Sequence, residues 1–163
     1  MLSGVVEFDD TYLGGPTAGS KRGCGTEKAK GFVALPLDKY WYPQYLKMSV
    51  TKNIKQSSVR KFANRTVAAD STIRSDSYRS YIPALEDYTH EHKTYDPNSG
   101  MLHWPHIVVS NAKAFILGTY HGLPKENLQP YLVEFAFRFS RRSFGGLLPQ
   151  QLIHAVACSG MAY

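Results

Sequence analysis

The chain has 163 residues, a length typical of one domain, and 43% of them are hydrophobic, which is enough to bury a core. Its formal net charge of +6 favours a polyanionic partner, although a merely basic soluble protein would carry the same charge. No apolar run approaches the roughly 20 residues that span a bilayer, and the first residues lack the pattern of a signal peptide. These features predict a cytoplasmic protein with no membrane partner. The two cysteines, Cys24 and Cys158, have no metal-binding or disulfide spacing.

Four segments rich in β-branched and other apolar residues predict strands: residues 4–8, 31–37, 45–50 and 66–75. Residues 17–30 are rich in glycine and in basic residues, which predicts an exposed loop between the first two strands. Apolar residues at helical spacing predict an amphipathic helix over residues 53–64, and a short helix is expected over residues 78–85. Residues 89–102 are polar and contain the turn sequence DPNSG, which predicts a loop.

The second half of the chain predicts helices. Pro105 suits the first turn of a helix and Gly118 suits its C-terminal end, so we expect a helix over residues 105–117. Beyond Pro124, apolar residues at i, i+3, i+4, i+7 and i+11 predict a second helix: Leu128, Tyr131, Leu132, Phe135 and Phe139. Strands followed by helices predict a mixed α/β sheet with helical cover, an order that many folds share.

Two aspartates stand at the predicted ends of apolar strands. Asp9 follows GVVEF and Asp76 follows STIRS. A carboxylate at a strand end is held on a rigid element with its oxygens facing outward, and two of them on adjacent strands could bind a hard divalent cation. Either aspartate could equally cap a turn, and spacing in the sequence does not show that the two strands are neighbours.

The helix predicted over residues 105–117 is apolar on almost every side except for one polar stripe. At about 100° per residue, His106, Ser110 and Lys113 fall along one line, whereas Asn111 lies about 140° from His106 and about 160° from Lys113. A polar stripe that contains histidine and lysine on an otherwise buried helix indicates a lined site. The alternative is a half-exposed helix whose stripe faces water.

Basic residues cluster at two places outside that helix: Lys21, Arg22, Lys28 and Lys30 after the first aspartate, and Arg138, Arg141 and Arg142 at the end of the last helix. Clusters of this kind near an acidic centre are typical of phosphate contacts to DNA, and a solvated basic face is the alternative for each. The HxH pair of His90 and His92 could ligate a transition metal, but it has no further partner at a suitable spacing.

Four segments resemble a known family: VEFDDTYLGG, IRSDSYRSY, HWPHIVVSNAKAFILGTYHG and LQPYLVEFAFRFSRR. They are similar to the catalytic domain of bacterial insertion-sequence transposases of the DDE type, in the ISXO-like branch with a DD(E/N/H)K pattern. The resemblance extends over nearly the whole chain, and the segments occur in the family's order. It implies an RNase H-like fold of the α/β class, with a mixed sheet flanked by helices, as a single catalytic domain over residues 1–163.

The resemblance also implies roles for individual residues. Asp9 and Asp76 match the two catalytic aspartates, and Asp10 stands where the family usually has glutamate. Lys113 matches the lysine of the pattern. His106 occupies the third position, seven residues before that lysine, with Asn111 as the alternate. Asp9, Asp76 and His106 would then hold two Mg²⁺ or Mn²⁺ ions.

The implied activity is metal-dependent DNA cleavage and strand transfer. DNA, as transposon ends and target, would be the partner, with the protein acting as a homo-oligomer in the synaptic complex, associated with the bacterial nucleoid. The family's N-terminal zinc ribbon and helix-turn-helix have no counterpart in this sequence. Two alternatives remain open: an inactive DNA-binding relic of a transposase, and an RNase H-like nuclease that cuts without joining.

Overall fold

The computed structural model describes residues 1–14, 28–94, 96, 99–119 and 123–159. Lys21 and Arg22 of the first basic cluster, and Cys24, lie outside these ranges. The described strands are β1 (Val5–Leu13), β2 (Ala29–Leu37), β3 (Lys47–Thr51), β4 (Thr72–Asp76) and β5 (Thr89–Lys93). The described helices of three turns or more are α1 (Gln56–Thr66), α2 (His103–Thr119), α3 (Leu128–Ser140) and α4 (Leu148–Ser159).

The five strands form one mixed sheet in the order β3-β2-β1-β4-β5. β2 is antiparallel to both of its neighbours, β1 and β3, whereas β4 is parallel to β1 and β5 is parallel to β4. β2 therefore runs opposite to all the other strands. A 3-2-1-4-5 sheet with only its second strand reversed, and helices on both faces, is the RNase H-like topology, so the predicted fold class is confirmed.

The two faces of the sheet carry different cores. The face covered by α1, here called the α1 face, packs aromatic rings of Phe8, Phe32 and Tyr81 against Val59 and Ala63 of that helix. The opposite face, here called the α2 face, lies under α2 and α3 and is filled by aliphatic residues of the sheet and of these helices. Because side chains alternate along a strand, β1 contributes to both cores in turn.

β1 is longer than its sequence suggests. It continues to Leu13, paired with β2 through nine residue pairs, so Asp9 and Asp10 lie within the strand rather than after its end. β5 was missed by sequence reasoning, which predicted a loop there. Its residues THEHK have no apolar alternation, because this edge strand is largely exposed and its pairing with β4 alone defines it.

The helix expected over residues 78–85 is wrong: the chain forms successive turns there instead. Pro83 lies in the middle of this segment and has no N–H to continue a helical ladder. α2 begins at His103, two residues before Pro105. The C-terminal tail forms α4, which carries the exposed free thiol of Cys158. In the described part of the chain, no helix is both long enough and apolar enough to cross a membrane.

Candidate active site

Asp9 and Asp76 come together on the α2 face of two adjacent parallel strands. β1 and β4 pair in the register Val5 with Thr72 and Glu7 with Arg74, so two residues further along each strand Asp9 stands beside Asp76. One oxygen of Asp9, Oδ1, accepts the N–H of Asp10 at 2.8 Å. Partial burial and the neighbouring charge of Asp9 raise the pKa of Asp76.

His106 reaches Asp9 from α2. Its Nε2 lies 3.2 Å from Oδ2 of Asp9, and its side chain is still 44% exposed. The hydrogen bond to Asp9 and the negative charge around it raise the pKa of His106, so the imidazolium form is stabilised beside the carboxylate. This contact closes a group of three side chains contributed by β1, β4 and α2.

Lys113 follows two helical turns after His106, on the same side of α2. Its side chain is half-buried, and this burial together with the charge of Lys28 lowers the pKa of Lys113, while Asp9 acts in the opposite sense. Lys113 therefore lies within electrostatic range of Asp9, and Lys28 lies within electrostatic range of Lys113. Asn111 is exposed on α2 and lines an open cleft together with His106 and Ser110.

Asp10 faces the other side of the sheet. Its Oδ1 accepts a hydrogen bond from the hydroxyl of the buried Tyr81 at 2.6 Å. Burial raises the pKa of Asp10 to about 6, with the hydrogen bond from Tyr81 opposing that shift and the charges of Asp9 and Asp76 adding to it. Two consecutive carboxylates thus have separate surroundings because they alternate across the strand.

Glu7 is a buried carboxylate that sequence reasoning missed. Only 2% of this residue is exposed. Its Oε1 accepts the N–H of Leu102 at 3.0 Å, immediately before α2 begins. Leu102 has a φ of 60°, a left-handed conformation that is uncommon for a bulky residue. Burial raises the pKa of Glu7. The signal in the sequence was its position two residues before Asp9, which places it on the same face.

The three arginines of the second basic cluster have different partners in the structure. Arg142 is engaged within the fold: its guanidinium donates to the carbonyls of Pro43, Gln44 and Phe139. Arg138 forms an ion pair with Glu134 one turn earlier in α3 at 2.6 Å, and Arg141 lies over the ring of Phe137.

In the first cluster, the described residues have separate environments. Lys30 belongs to β2, paired with Tyr12 and Thr51, so the predicted loop ends before it. Lys28 is the member whose charge acts on Lys113.

The acidic group contains donors of the type that the divalent ions implied by the resemblance prefer. Burial, and after it the like charge of Asp9, raises the pKa of Asp76, and a hard cation would relieve the repulsion between these two carboxylates. The nitrogen of His106 contacts Oδ2 of Asp9 directly, which places a nitrogen donor next to this carboxylate. Among the described residues, no three His, Cys, Asp or Glu side chains form a ready-made ligand set. Asp9 and Asp76 therefore supply two carboxylate donors of the type that such ions prefer, without a complete ligand set among the described residues.

The sheet topology and the paired aspartates on its central strands define an RNase H-like domain. A family profile described as the ISXO2-like transposase domain matches residues 1–140, and the chain belongs to this family of insertion-sequence DDE transposase domains.

A solved structure, "CryoEM structure of simian T-cell lymphotropic virus intasome in complex with PP2A regulatory subunit B56 gamma", contains a similar chain. The two share 11% sequence identity with a TM-score of 0.49, over 84% of this chain and 49% of that chain. The present chain thus corresponds to about half the length of that one. No curated protein matches it in sequence.

Proposed function

We propose that this domain catalyses metal-dependent cleavage of DNA and transfer of the cut strand, as the catalytic part of a transposase. The observation that supports it is the position of Asp9 beside Asp76 on adjacent parallel strands, under His106 of α2, in a chain of this family. Phosphoryl transfer on DNA needs anionic ligands held rigidly at one place, and a sheet holds them more rigidly than a loop does.

Asp9 and Asp76 would hold two divalent ions, since members of the family generally use such ions. When bound, the ions would activate water or a DNA 3′-hydroxyl for in-line attack and stabilise the leaving oxygen. His106 would complete the site as a neutral ligand after its imidazolium releases a proton and turns from Oδ2 of Asp9. An imidazole nitrogen suits manganese better than magnesium, so we expect more activity with Mn²⁺.

Lys113 and Lys28 would bind the DNA backbone next to the reacting phosphate. Lys113 lies within electrostatic range of Asp9 and Lys28 within range of Lys113, so a phosphate seated between the lysines and the metal-bound carboxylates would be neutralised from two sides. The partial burial of Lys113 lowers its pKa and restricts its side chain, which favours a fixed contact over a mobile counterion. Joining a transposon's two ends to a target requires two such centres, so we expect a homo-oligomer on DNA.

The test is a joining assay with the full chain. A labelled duplex that carries a preprocessed 3′-hydroxyl end is incubated with supercoiled plasmid, with Mn²⁺, with Mg²⁺ or with a chelator. Transposase activity predicts metal-dependent nicking and covalent transfer of the label to the plasmid. Asp9→Asn is the matched inactive control, because the amide keeps the volume and removes the charge.

The other outcomes separate the remaining alternatives. Metal-dependent nicking without transfer of label would assign the chain as an RNase H-like nuclease. Binding of DNA with neither reaction, under all three conditions, would assign it as a DNA-binding relic. Activity that survives in Asp9→Asn would show that the reaction does not use this site.

A further inference from the structure

A turn between β2 and β3 exposes four large aromatic side chains close together. The segment runs from residue 38 to residue 45 and is called the aromatic turn here. Its exposed aromatic residues are Tyr40 at 67%, Trp41 at 54%, Tyr42 at 59% and Tyr45 at 57%. Isolated apolar residues on a surface are common, but a cluster of large rings this exposed marks a binding surface.

The aromatic turn is held in a defined shape by Asp38. Oδ1 of Asp38 accepts the N–H groups of Tyr40 at 2.8 Å and Tyr42 at 2.9 Å, and its Oδ2 accepts the side-chain amide of Gln44 at 2.9 Å. Trp41 sits between them with a φ of 64°, a left-handed conformation that costs free energy for such a residue. The surrounding hydrogen bonds maintain it, so the exposed rings are presented by an ordered backbone.

The same turn is tied to the helices of the α2 face. The indole N–H of Trp104, in the first turn of α2, donates to the carbonyl of Trp41 at 2.7 Å. Arg142 donates to the carbonyls of Pro43 and Gln44 from the other side. The position of the aromatic turn is therefore coupled to the helix that carries His106.

Cations accompany the exposed rings. The guanidinium of Arg74 lies over the ring of Trp41, 4.9 Å from its centroid, and the ammonium of Lys39 lies 5.0 Å from the centroid of Tyr40. Aromatic faces interleaved with cations are the combination that binds single-stranded nucleic acid, because bases stack on the rings and phosphates pair with the charges.

Two clefts that share lining residues lie between the aromatic turn and His106. One cleft of about 520 Å³ is lined by Trp41, Arg74 and Trp104, and a second of about 380 Å³ is lined by His106. The two clefts share Gly100, Met101 and His103 along their common border. A strand that passes the aromatic turn is thus led along the start of α2 to the residue that contacts Asp9.

From this geometry we infer that the aromatic turn binds unpaired nucleotides of the DNA strand that enters the acidic site. The inference rests on the proposed function for its substrate and adds where unpaired bases are held. Bases inside a duplex already stack on each other and hide their faces, so rings on a protein surface can stack only on unpaired ones. The domain would therefore prefer DNA whose strands are separated next to the cleavage site.

The test measures binding of labelled oligothymidylate of about 15 nucleotides to the full chain by fluorescence anisotropy, in a chelator so that no cleavage occurs. Trp41→Leu should weaken this binding by about 5- to 150-fold, the effect of losing one base–aromatic stack, and should leave binding of a duplex of equal length within about twofold. Trp41→Phe keeps a ring and should stay close to wild type. Phe144→Leu is the matched control, because Phe144 is also an exposed ring (42%) but lies outside the aromatic turn. It should change binding of the single strand by less than twofold.

The wild-type chain also gives a direct signal, since Trp41 and Trp104 are its two tryptophans. Single-stranded DNA should quench the tryptophan fluorescence of wild type and quench much less in Trp41→Leu. Unchanged binding of the single strand in Trp41→Leu, or equal losses for single strand and duplex, would overturn the inference. So would a wild-type dimer that Trp41→Leu converts to monomer without any change in DNA affinity, because the rings would then belong to a contact between copies. Failure of the joining assay with intact Trp41-dependent binding would count against the proposed function and not against this surface.

Discussion

The two faces of β1 do different work, although their residues alternate one by one along the same strand. On the α1 face, Phe8 is fully buried among the rings of Phe32, Phe62 and Tyr81. On the α2 face, Glu7 and Asp9 present carboxylates toward α2, one capping its start and the other meeting His106. The α1 face stabilises the sheet by burying apolar rings. The α2 face also contains buried carboxylates, and their charges need partners.

This difference predicts which substitutions should change stability and which should change activity. Burial of large rings contributes most of the free energy of folding, and a strand anchored on one face can hold strained or repelling groups on the other. Changes among the buried rings of the α1 face should therefore act on unfolding, and changes at Asp9 and Asp76 on chemistry. Asp9 and Asp10 are the sharpest pair for this comparison because they are adjacent, chemically identical and face opposite ways.

The largest effect is expected for Asp9→Asn and Asp76→Asn. Each removes one proposed metal ligand at nearly constant volume, so DNA nicking with Mn²⁺ should fall by about 1,000-fold or more, equivalent to roughly 4 kcal/mol. Asp10→Asn can still accept the hydrogen bond from Tyr81, and its nicking rate should stay within about tenfold of wild type. A loss in Asp10→Asn as large as that in Asp9→Asn would remove the distinction between the faces.

A large effect on stability alone is expected for Phe8→Ala. Deleting a fully buried ring should lower the free energy of unfolding by about 3–5 kcal/mol, measured by urea denaturation. Val133→Ala on α3 is the control, since Val133 is 55% exposed and its truncation should cost about 0.5 kcal/mol or less. If Phe8→Ala unfolded at nearly the wild-type urea concentration, the aromatic core would not be the anchor described here.

Substitution of Glu7 should change both the free energy of unfolding and the rate of DNA nicking. Glu7→Ala leaves the buried N–H of Leu102 without its acceptor and opens a cavity, so unfolding should become easier by about 2–3 kcal/mol. Glu7→Gln keeps an oxygen acceptor and, because burial already favours the neutral acid, should cost less. Because the start of α2 positions His106, nicking by folded Glu7→Ala should also decrease. Equal stability of the two variants would argue that the contact with Leu102 contributes nothing.

The smallest predicted effect distinguishes the two candidates for the third position. His106→Ala should lower the rate of metal-dependent nicking by about tenfold, or roughly 1.4 kcal/mol, and Asn111→Ala by less than twofold. His106→Glu should raise the ratio of Mg²⁺-supported to Mn²⁺-supported activity, because carboxylate oxygen suits magnesium. A greater loss in Asn111→Ala than in His106→Ala would transfer the role to the asparagine.

The spacing of apolar residues in the sequence predicted those strands and helices that bury one face and expose the other. It predicted the central strands, α1, and the long helices α2 and α3, and it placed His106 and Lys113 on one side of α2, where the structure has them near Asp9. It could not show that β1 and β4 are neighbours, because pairing between residues so far apart in sequence leaves no local pattern. The expectation for Asp9 and Asp76 depended on the resemblance to a family.

Other features could not be predicted for physical reasons. β5 is polar because its side chains are exposed, so only backbone pairing identifies it. Arg142 has the composition of a phosphate contact, yet three backbone carbonyls occupy its guanidinium. The aromatic turn contains the sequence KYWYPQY, whose apolar content suggests burial, and only the hydrogen bonds of Asp38 show why its rings remain outside.

The continuous pairing of β1 with β2 also limits which sequence changes this domain can tolerate in evolution. Asp9 is paired with Val33 and Asp10 with Phe32, so inserting a single residue just before Phe8 would exchange the directions of everything that follows in the strand. Phe8 would leave its core, and the second aspartate would turn toward His106 in place of the first. Point substitutions can be absorbed one side chain at a time, but a one-codon insertion here would invert the whole strand. Lineages of this domain should accumulate length changes in their loops and keep the length of β1 constant.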